Sequence, residues 1–427
     1  MVTRRRIAVV GSGIAGLTAG YVLSRTDDVV LYEAADRLGG HAHTHRVGDR
    51  DGRDVFVDSG FIVHNRLTYP LFSRLLSELG VPVQCSEMSM SVSCAGCGLH
   101  YAGHRGVPGL AAGLRHGGGQ YAAMLTEVLR FHRAARRLVA RAEKQGDQEP
   151  TLAQFLQAGR YSQYFVAHFV SPFVAAVWSC PPATALRYPA RYLFAFLGQH
   201  GLLTVTGSPP WLTISGGSRG YVERVRKQLT TVRTGCAVTA ISRTSGGARL
   251  SYTDARGGQH DDGVAAIVVA THPDQALRLL TDPTAAERSV LGSFHYTPNQ
   301  AVLHTDATVL PAAPRVRSSW NYSISSCSLG DSQPQVSYYL NRLQRLAASR
   351  DYVVTLNPAR PIPPSRVLAR MAYTHPVYDP VSVAAQRRLP ELNDGVTAYA
   401  GAYHGWGFHE DGCRAGLSAA ESLGGRW

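Results

Sequence analysis

The sequence predicts an α/β fold built on a parallel sheet, and three stretches of the chain carry that prediction. Residues 7–10 have the pattern of a short buried strand, and a glycine-rich loop and an apolar helix follow it directly, through residue 23. A run of small and β-branched residues at 264–270 has the composition of a second buried strand. A third strand near residue 399 leads through another glycine-rich loop into a helix of small residues.

The first loop has the spacing of a dinucleotide-binding site. Gly11 permits the tight turn, Gly13 lets a pyrophosphate approach the backbone, and Gly16 lets the helix pack closely on the strand. The unpaired amides at the start of the helix suit an anion. Glu33 ends the second strand, where a carboxylate would bind the adenosine ribose hydroxyls. The candidate contacts in the loop are Gly11, Gly13, Ile14, Ala15 and Gly16.

The residues after this acid indicate which dinucleotide is bound. The stretch from Glu33 through Arg37, Gly39 and Gly40 to His41 resembles the extended fingerprint of the FAD-binding glutathione reductase and amine oxidase superfamily. The resemblance implies FAD and a Rossmann-like FAD-binding domain of the glutathione reductase type. Arg37 offers a donor fork for phosphate, although a role at the surface stays open. His41 stands where many amine oxidases have a second arginine, which makes amine chemistry less certain.

Three later segments agree with this resemblance. In the superfamily, a strand similar to 264–270 ends beside the cofactor, here at Ala270, and one similar to 238–241 meets adenine through its backbone, here at Val238. The stretch 399–412 resembles the closing flavin motif, with Gly401, Glu410 and Asp411 near its functional positions. The alternative for the two acids is that they only favour the N-terminal dipole of the following helix.

Together the segments predict two discontinuous domains. We expect the FAD-binding domain to be assembled from residues 1–75, 212–290 and 390–427. The inserted substrate domain, of α+β type, would take residues 76–211 and 291–389, with a helical part at about 120–205.

Further phrases resemble one bacterial subgroup, the predicted NAD/FAD-binding oxidoreductases found beside cyclopropane fatty acid synthase-like methyltransferases. These phrases lie at residues 58–65, 175–179, 200–203, 211–219, 318–322 and 407–411. Gly60 and Phe61 belong to the first of them and are further candidate cofactor contacts. The resemblance implies a flavin oxidase or desaturase, and some relatives are linked to unusual fatty acids.

The sequence favours oxidation of a hydrophobic molecule, such as an acyl chain or a specialised metabolite. Many amine oxidases place a lysine near the flavin, but Lys144 lies in a polar turn and Lys227 on a predicted surface helix. The sequence has no second glycine-rich strand–loop–helix unit that could bind NADPH. We therefore expect molecular oxygen as the electron acceptor. The alternatives are a double-bond isomerase, a flavin amine oxidase, and a non-catalytic flavin-binding partner of a lipid-modifying methyltransferase.

Aromatic residues with a few polar neighbours suit a largely apolar substrate pocket. His409 is the preferred candidate for proton transfer, because histidine titrates near neutrality and this one adjoins the closing motif. Each candidate alone could equally be a packing residue. The candidates are Trp178, His200, Trp320, Asn321, Tyr322, Trp406 and His409.

Composition restricts the partners. The net charge is +13, but the chain has 43 basic residues of which only Lys144 and Lys227 are lysines, so we attribute the excess to biased base composition and expect no nucleic acid partner. Seven cysteines, an odd number, favour a reducing compartment and predict a cytoplasmic protein. Arginines on the predicted helix 121–141 leave peripheral contact with a membrane open. The oligomeric state is left undetermined.

One group of metal-ligand types needs separate consideration. Cys94 and Cys97, followed by His100 and His104, have close spacing that could suit zinc. The residues around the Ala-Gly turn alternate as in a β-hairpin. We therefore predict a hairpin here and no metal.

Overall fold

A parallel sheet lies at the centre of the fold. The computed structural model describes residues 4–103, 106–141, 149–204, 208–313, 316–328 and 335–427. Strand Arg6–Val10 pairs in parallel with Asp28–Tyr32 on one side and with Ala266–Val269 on the other. The sheet order is Thr231–Arg233, Asp28–Tyr32, Arg6–Val10, Ala266–Val269 and Thr397–Tyr399. The inner strands are buried on both faces, which explains their continuous apolar runs.

Different layers cover the two faces of this sheet. Ile7 and Val9 face a core shared with the N-terminal helix (Ile14–Leu23) and the C-terminal helix (His409–Ser422). Ala8 and Val10, which alternate with them, face the opposite core. An antiparallel sheet and two helices build that second core: Ala237–Thr244, Gly247–Thr253, Gln259–Val264, Pro273–Leu279 and Ala285–Leu291.

The second large sheet has strands from the middle of the chain. Its neighbours run antiparallel except where Trp320–Ile324 pairs in parallel with Met90–Cys94. Met90–Cys94 also forms an antiparallel hairpin with His100–Ala102, as predicted. The order is Val367–Val377, His295–His304, Val353–Leu356, Gln335–Tyr339, Trp320–Ile324, Met90–Cys94 and His100–Ala102. Smaller sheets pair Thr44–Gly48 with Asp54–Asp58, and Leu212–Ile214 with Val63–His64 and Val83–Cys85.

Helices cover one face of this sheet. Val92, Tyr322 and Val336 from the strands share an apolar core with the helical segments between residues 106 and 199. The long segment Gly106–Ala140 is broken at Gly118, where the backbone has a positive φ of 49°. Those segments are Gly106–Ala140, Leu152–Ala158, Gln163–Phe165, the π-helix Val166–Val170, Ser171–Trp178, Pro182–Ala185 and Ala190–Gln199.

Short helices connect the remaining parts. They are Pro70–Glu78, Arg219–Arg226, Leu340–Leu343 and Pro380–Gln386, with 3-10 turns at Ala307–Val309, Pro364–Arg366, Leu389–Leu392 and Ala402–His404. The architecture agrees with the predicted α/β class, whereas the domain boundaries stay predictions. Within the described ranges, no helix combines the length and the apolar character needed to cross a bilayer.

Candidate functional site

The glycine loop brings three segments of backbone into close contact. Gly11 has a positive φ of 97°, and a Cβ atom on it would lie 2.7 Å from the carbonyl oxygen of Ala270. A Cβ atom on Gly16 would overlap the carbonyl oxygen of Gly11. The amide of Ala270 donates to the carbonyl of Val10 at 2.8 Å. Gly11 and Gly16 therefore allow the loop to pack against the end of strand Ala266–Val269.

Gly13 differs from these two glycines because it faces open space. A Cβ atom on Gly13 would meet no atom within 4 Å. It is the N-cap of the N-terminal helix, yet no side chain caps this end and the first turn contains no acidic residue. The amides of that turn are therefore available to an anion and carry the positive pole of the helix dipole. This shape and polarity fit the pyrophosphate of a dinucleotide.

Glu33 is held beside this helix end. Its Oε2 accepts from the backbone amide of Ser12 at 2.9 Å and from the Ser12 hydroxyl at 2.5 Å. The carbonyl of Glu33 accepts from the amide of Cys236 at 2.9 Å, which brings the segment containing Val238 to the same end of the sheet. The acid predicted to bind ribose and the segment predicted to meet adenine are therefore close together.

The C-terminal helix lies beside the N-terminal helix at their first turns. A Cβ atom on Gly412 would lie 2.6 Å from Cγ2 of Ile14, and one on Gly416 would overlap the carbonyl oxygen of Ala15. Glycine at these two positions lets the helix backbones approach closely. The two N-termini therefore lie side by side, but the first turn of the C-terminal helix carries Glu410 and Asp411, so the uncapped N-terminal helix supplies the positive pole at this site.

The two acids of the closing motif bind backbone amides. Glu410 accepts from the amides of Leu71 and Phe72 at 3.1 and 3.0 Å, at the start of helix Pro70–Glu78. Asp411 accepts from the amide of Phe408 at 3.0 Å. Burial raises the pKa of Glu410, and it raises the pKa of Asp411 to about 7. In the structure both acids hold loops and helix ends in place.

The segments around Gly40 and Gly60 complete this side of the site. The amide of Gly39 donates to the carbonyl of Ser12 at 3.0 Å, and a Cβ atom on Gly40 would lie 3.1 Å from Cα of Gly13. The amide of Phe61 donates to the carbonyl of His41 at 2.8 Å. A Cβ atom on Gly60 would overlap that same carbonyl oxygen.

Arg37 and Gly401 have local backbone roles. The guanidinium of Arg37 donates to the carbonyl of Gly40 at 2.8 Å, which fixes the turn that precedes His41. Gly401 follows strand Thr397–Tyr399, and a Cβ atom on it would overlap the ring of Tyr403. Both residues shape loops next to the helix ends described above.

His409 lies inside the protein. Its ring stacks on Phe61 with the centroids 3.5 Å apart, and its Nε2 lies 3.1 Å from the Tyr221 hydroxyl. Burial lowers its pKa well below the ordinary value, so the imidazole is neutral near pH 7. The prediction that it transfers protons is not tested by these contacts, which show a packed and hydrogen-bonded ring.

A group of histidines that the sequence analysis did not bring together lies near His41. The His41 ring is 4.9 Å from that of Tyr373 and 5.5 Å from that of His375. Burial lowers the pKa of His41 to about 3 and that of His375 to about 4, and it also lowers the pKa of His272. The three histidines are surrounded by protein but keep some solvent-accessible surface.

One buried histidine nitrogen near the glycine loop agrees with a bound cofactor. Nε2 of His41 has no hydrogen-bond partner among the described residues. Native proteins pair nearly all buried polar atoms, and a bound group can supply the partner. The alternation of His41, His43 and His45 marks a histidine-rich segment in the sequence, but no local pattern predicts that His272 and His375 lie near His41.

Three predicted pocket residues come together in an aromatic cluster, which consists of Trp178, Phe196, His200, Trp406 and Phe408. Nε1 of Trp178 donates to the carbonyl of Trp406 at 3.1 Å. Phe196 stacks on Phe408 at 4.5 Å, and the His200 ring lies 4.0 Å from Phe196. Because Phe408 directly precedes the C-terminal helix, the aromatic cluster adjoins the site formed by the helix ends.

The predicted residues on strand Trp320–Ile324 have a different environment. The side-chain oxygen of Asn321 accepts from Ser91 and Ser318, and its amide donates to the carbonyls of Ser318 and Ser337. These four bonds tie the strand to its neighbours. Tyr322 packs in the apolar core that also contains Trp178, and burial raises its pKa. Trp320 packs edge-on against Tyr338.

Comparison with known proteins gives a family match and several relatives. The family described as flavin containing amine oxidoreductase matches residues 14–339. Coproporphyrinogen III oxidase of Mycobacterium tuberculosis is 30% identical over 254 residues, which are 52% of each chain. The protein of the same name from Mycobacterium leprae is 26% identical over 307 residues, 67% of this chain and 64% of that one. The chain thus spans about half the length of the first of these curated relatives.

Solved structures show the same fold. Cyclohexylamine oxidase from Brevibacterium oxydans superposes with a TM-score of 0.66 at 15% identity and covers 99% of both chains. A fatty acid isomerase from P. acnes superposes with a TM-score of 0.64 at 16% identity, over 96% of this chain and 97% of that one. These likenesses confirm the predicted fold class, a Rossmann-like FAD-binding domain with a substrate domain.

Proposed function

Because this chain belongs to the family of flavin containing amine oxidoreductases and is FAD-dependent, we propose that it oxidises a hydrophobic substrate such as an acyl chain. The observation that carries the proposal is the aromatic cluster next to the C-terminal helix. Its members bury apolar surface beside the helix ends, where we place the cofactor. Trp178, Phe196 and His200 are already buried, whereas Trp406 and Phe408 keep some accessible surface. A long apolar molecule that covers these two rings would gain about 25 cal/mol per Å² of apolar surface that it removes from water.

The residues that would hold FAD follow from the helix ends. We assign the pyrophosphate to the uncapped amides at Gly13, and the ribose to the carboxylate of Glu33. The flavin ring would lie between the turn at His41 and the loop that ends at Phe408. When bound, FAD supplies the acceptor for a hydride that leaves a substrate C–H bond.

The surroundings of the site favour a neutral substrate over an ammonium ion. Lys227 is exposed at the end of helix Arg219–Arg226, and Lys144 lies outside the described residues. The carboxylates of Glu410 and Asp411 accept from backbone amides. An ammonium group loses much hydration free energy on burial, so it needs a paired charge that these acids are not placed to give.

Histidines near the turn at His41 are candidates to relay a proton to solvent. Burial lowers the pKa of His41 to about 3 and that of His375 to about 4, so both rings are neutral near pH 7 and would hold a proton only in transit. In a desaturation, a hydride and a proton would leave adjacent carbons. Molecular oxygen would take up the two electrons with two protons and leave as hydrogen peroxide. We assign His409 a supporting role, because its ring is stacked on Phe61 and bonded to Tyr221.

The test is anaerobic mixing of the FAD-loaded protein with substrates of different chemistry, followed by absorbance. We expect acyl substrates to bleach the flavin, primary amines to leave it oxidised, and added oxygen to restore the colour with release of peroxide. Coproporphyrinogen III is included because the mycobacterial relatives carry its name. Bleaching by amines alone would overturn the proposal. A shifted double bond without oxygen uptake would favour an isomerase, and a flavin that no substrate reduces would favour a binding protein.

A further inference from the structure

Three cysteines and one histidine meet at the edge of the seven-stranded sheet, away from the helix ends. Their ligand atoms, the Sγ atoms of Cys94, Cys97 and Cys327 and a ring nitrogen of His168, all lie within 4.8 Å of one another. Cys94 and Cys327 have their sulfurs 3.7 Å apart, and the Cys97 sulfur is 3.5 Å from Nε2 of His168. We propose that these four residues, named here the Cys3His cluster, bind one zinc ion.

The distances match a tetrahedral zinc centre. Zinc lies about 2.3 Å from thiolate sulfur and about 2.0–2.1 Å from imidazole nitrogen. In a tetrahedron these bonds place two sulfurs about 3.8 Å apart, and a sulfur and a nitrogen about 3.6 Å apart. The observed separations are 3.7 and 3.5 Å. A disulfide would instead require sulfurs about 2.05 Å apart.

The backbone brings the cysteines together in a specific way. Cys94 pairs with Ile324 at the ends of two parallel strands, and the carbonyl of Ile324 accepts from the amide of Ala95 at 2.8 Å. A Cβ atom on Gly96 would lie 3.1 Å from Cα of Ser326. Glycine at this position therefore lets the turn that carries Cys94 and Cys97 approach the loop that carries Cys327.

His168 is oriented for metal binding by its other ring nitrogen. Nδ1 lies 2.9 Å from the carbonyl oxygen of Tyr164, which cannot donate, so Nδ1 carries the proton. The lone pair on Nε2 then faces the three sulfurs. Histidines that ligate metals usually have such an outer hydrogen bond to a carbonyl or a carboxylate. His168 lies in the π-helix Val166–Val170, a distortion that is frequent at functional sites.

The ligand set differs from the one that the sequence suggested. His100 is turned away, with its Nδ1 2.9 Å from the Ser93 hydroxyl, and His104 lies outside the described residues. His168 and Cys327 take their places, although each is far from the Cys94–Cys97 turn along the chain.

Four protein ligands without an open position indicate a structural role. Zinc would fasten the hairpin, the loop after strand Trp320–Ile324, and the helical segment that continues into Ser171–Trp178. That last helix carries Trp178 of the aromatic cluster. Cys94 and His168 are buried, while Cys327 is exposed and offers a path for the ion. Three thiols would release their protons on binding.

The experiment measures metal in the full-length, FAD-loaded protein, purified with reduced thiols and no added chelator. We expect about one zinc ion per chain, and an X-ray absorption spectrum with three sulfur and one nitrogen neighbours. Cys97→Ser and His168→Gln should lose the zinc, whereas Cys236→Ser, a cysteine outside the cluster, should retain it.

If the two cluster variants do not fold, the X-ray absorption spectrum of the wild-type protein still tests the proposal. Removal of zinc by a strong chelator should lower the melting temperature of wild-type and Cys236→Ser protein equally. The proposal is overturned if reduced protein takes up no zinc when zinc is supplied. It is also overturned by a zinc ion with only nitrogen and oxygen neighbours, by equal zinc loss in Cys236→Ser, or by a disulfide between Cys94 and Cys327.

Discussion

Replacing Gly13 with alanine should separate cofactor binding from folding. Gly13 has a φ of −63° and a ψ of 175°, which alanine adopts without strain. Its added Cβ would meet no protein atom within 4 Å, so we expect the folded protein to remain intact. The methyl group would occupy the space in which the pyrophosphate approaches the uncapped amides. FAD affinity should therefore fall while the stability of the FAD-free protein does not.

The expected loss of FAD affinity follows from the hydrogen bonds between the helix amides and the pyrophosphate that the methyl group would break. A hydrogen bond to a charged group contributes about 1.5–3 kcal/mol. Loss of one such bond corresponds to a dissociation constant higher by about 10- to 150-fold. The stability of the FAD-free protein should change by less than about 1 kcal/mol, because the smaller entropy of the unfolded chain, a gain of about 0.4–1 kcal/mol, is offset by the lower N-cap preference of alanine compared with glycine.

Gly16→Ala is the matched control, because there the Cβ would overlap the carbonyl oxygen of Gly11 and the backbone must shift. We expect that variant to lose about 1–3 kcal/mol of stability in the absence of FAD. The assay combines FAD titration, followed by flavin fluorescence, with urea unfolding of the FAD-free proteins. If Gly13→Ala bound FAD as tightly as the wild type, the pyrophosphate would not lie at this helix end and the assignment would be wrong.

Three further predictions concern the buried acids. Burial raises the pKa of Asp411 to about 7, so the unfolded chain loses this proton first and the acid's contribution to stability falls between about pH 4 and pH 7. In the Asp411→Asn variant, the free energy of unfolding, measured with urea, should decline less over this pH range. A decline as large as in the wild type would contradict the prediction. Glu410→Ala should cost about 1–3 kcal/mol, because two helix amides lose their acceptor, while the exposed Glu421→Ala should stay within about 0.5 kcal/mol. Arg243→Met should cost about 3–5 kcal/mol by leaving the buried Glu287 unpaired. Burial alone would raise the pKa of Glu287, but hydrogen bonds from Arg243 and a tyrosine lower it to about 2. The difference in free energy of unfolding between the wild type and Arg243→Met should therefore become smaller as the pH falls from about 4 towards 2. A deficit that did not depend on pH would indicate lost packing instead.

The family resemblance was the basis for predicting the cofactor and several site residues. It predicted FAD, and the family match bears this out. It also placed Gly401, Glu410 and Asp411 near the flavin, but it did not indicate that both acids accept from backbone amides. Similarly, the phrase at 318–322 made Asn321 a pocket candidate, while the four hydrogen bonds of Asn321 became visible only when its neighbouring strands were in place.

The sequence by itself determined the dinucleotide-binding unit, because strand, loop, helix and acid lie within one short stretch and their spacing is set by local backbone geometry. Only the tertiary structure decided which distant segments meet there. It laid the C-terminal helix against Ile14 and Ala15 through Gly412 and Gly416, and it gathered histidines and aromatic rings from separate elements. It also brought His168 and Cys327, and not His100, to Cys94 and Cys97 in the Cys3His cluster. Contacts of this kind depend on packing between distant elements, so the local helix and strand periodicities of the sequence cannot predict them.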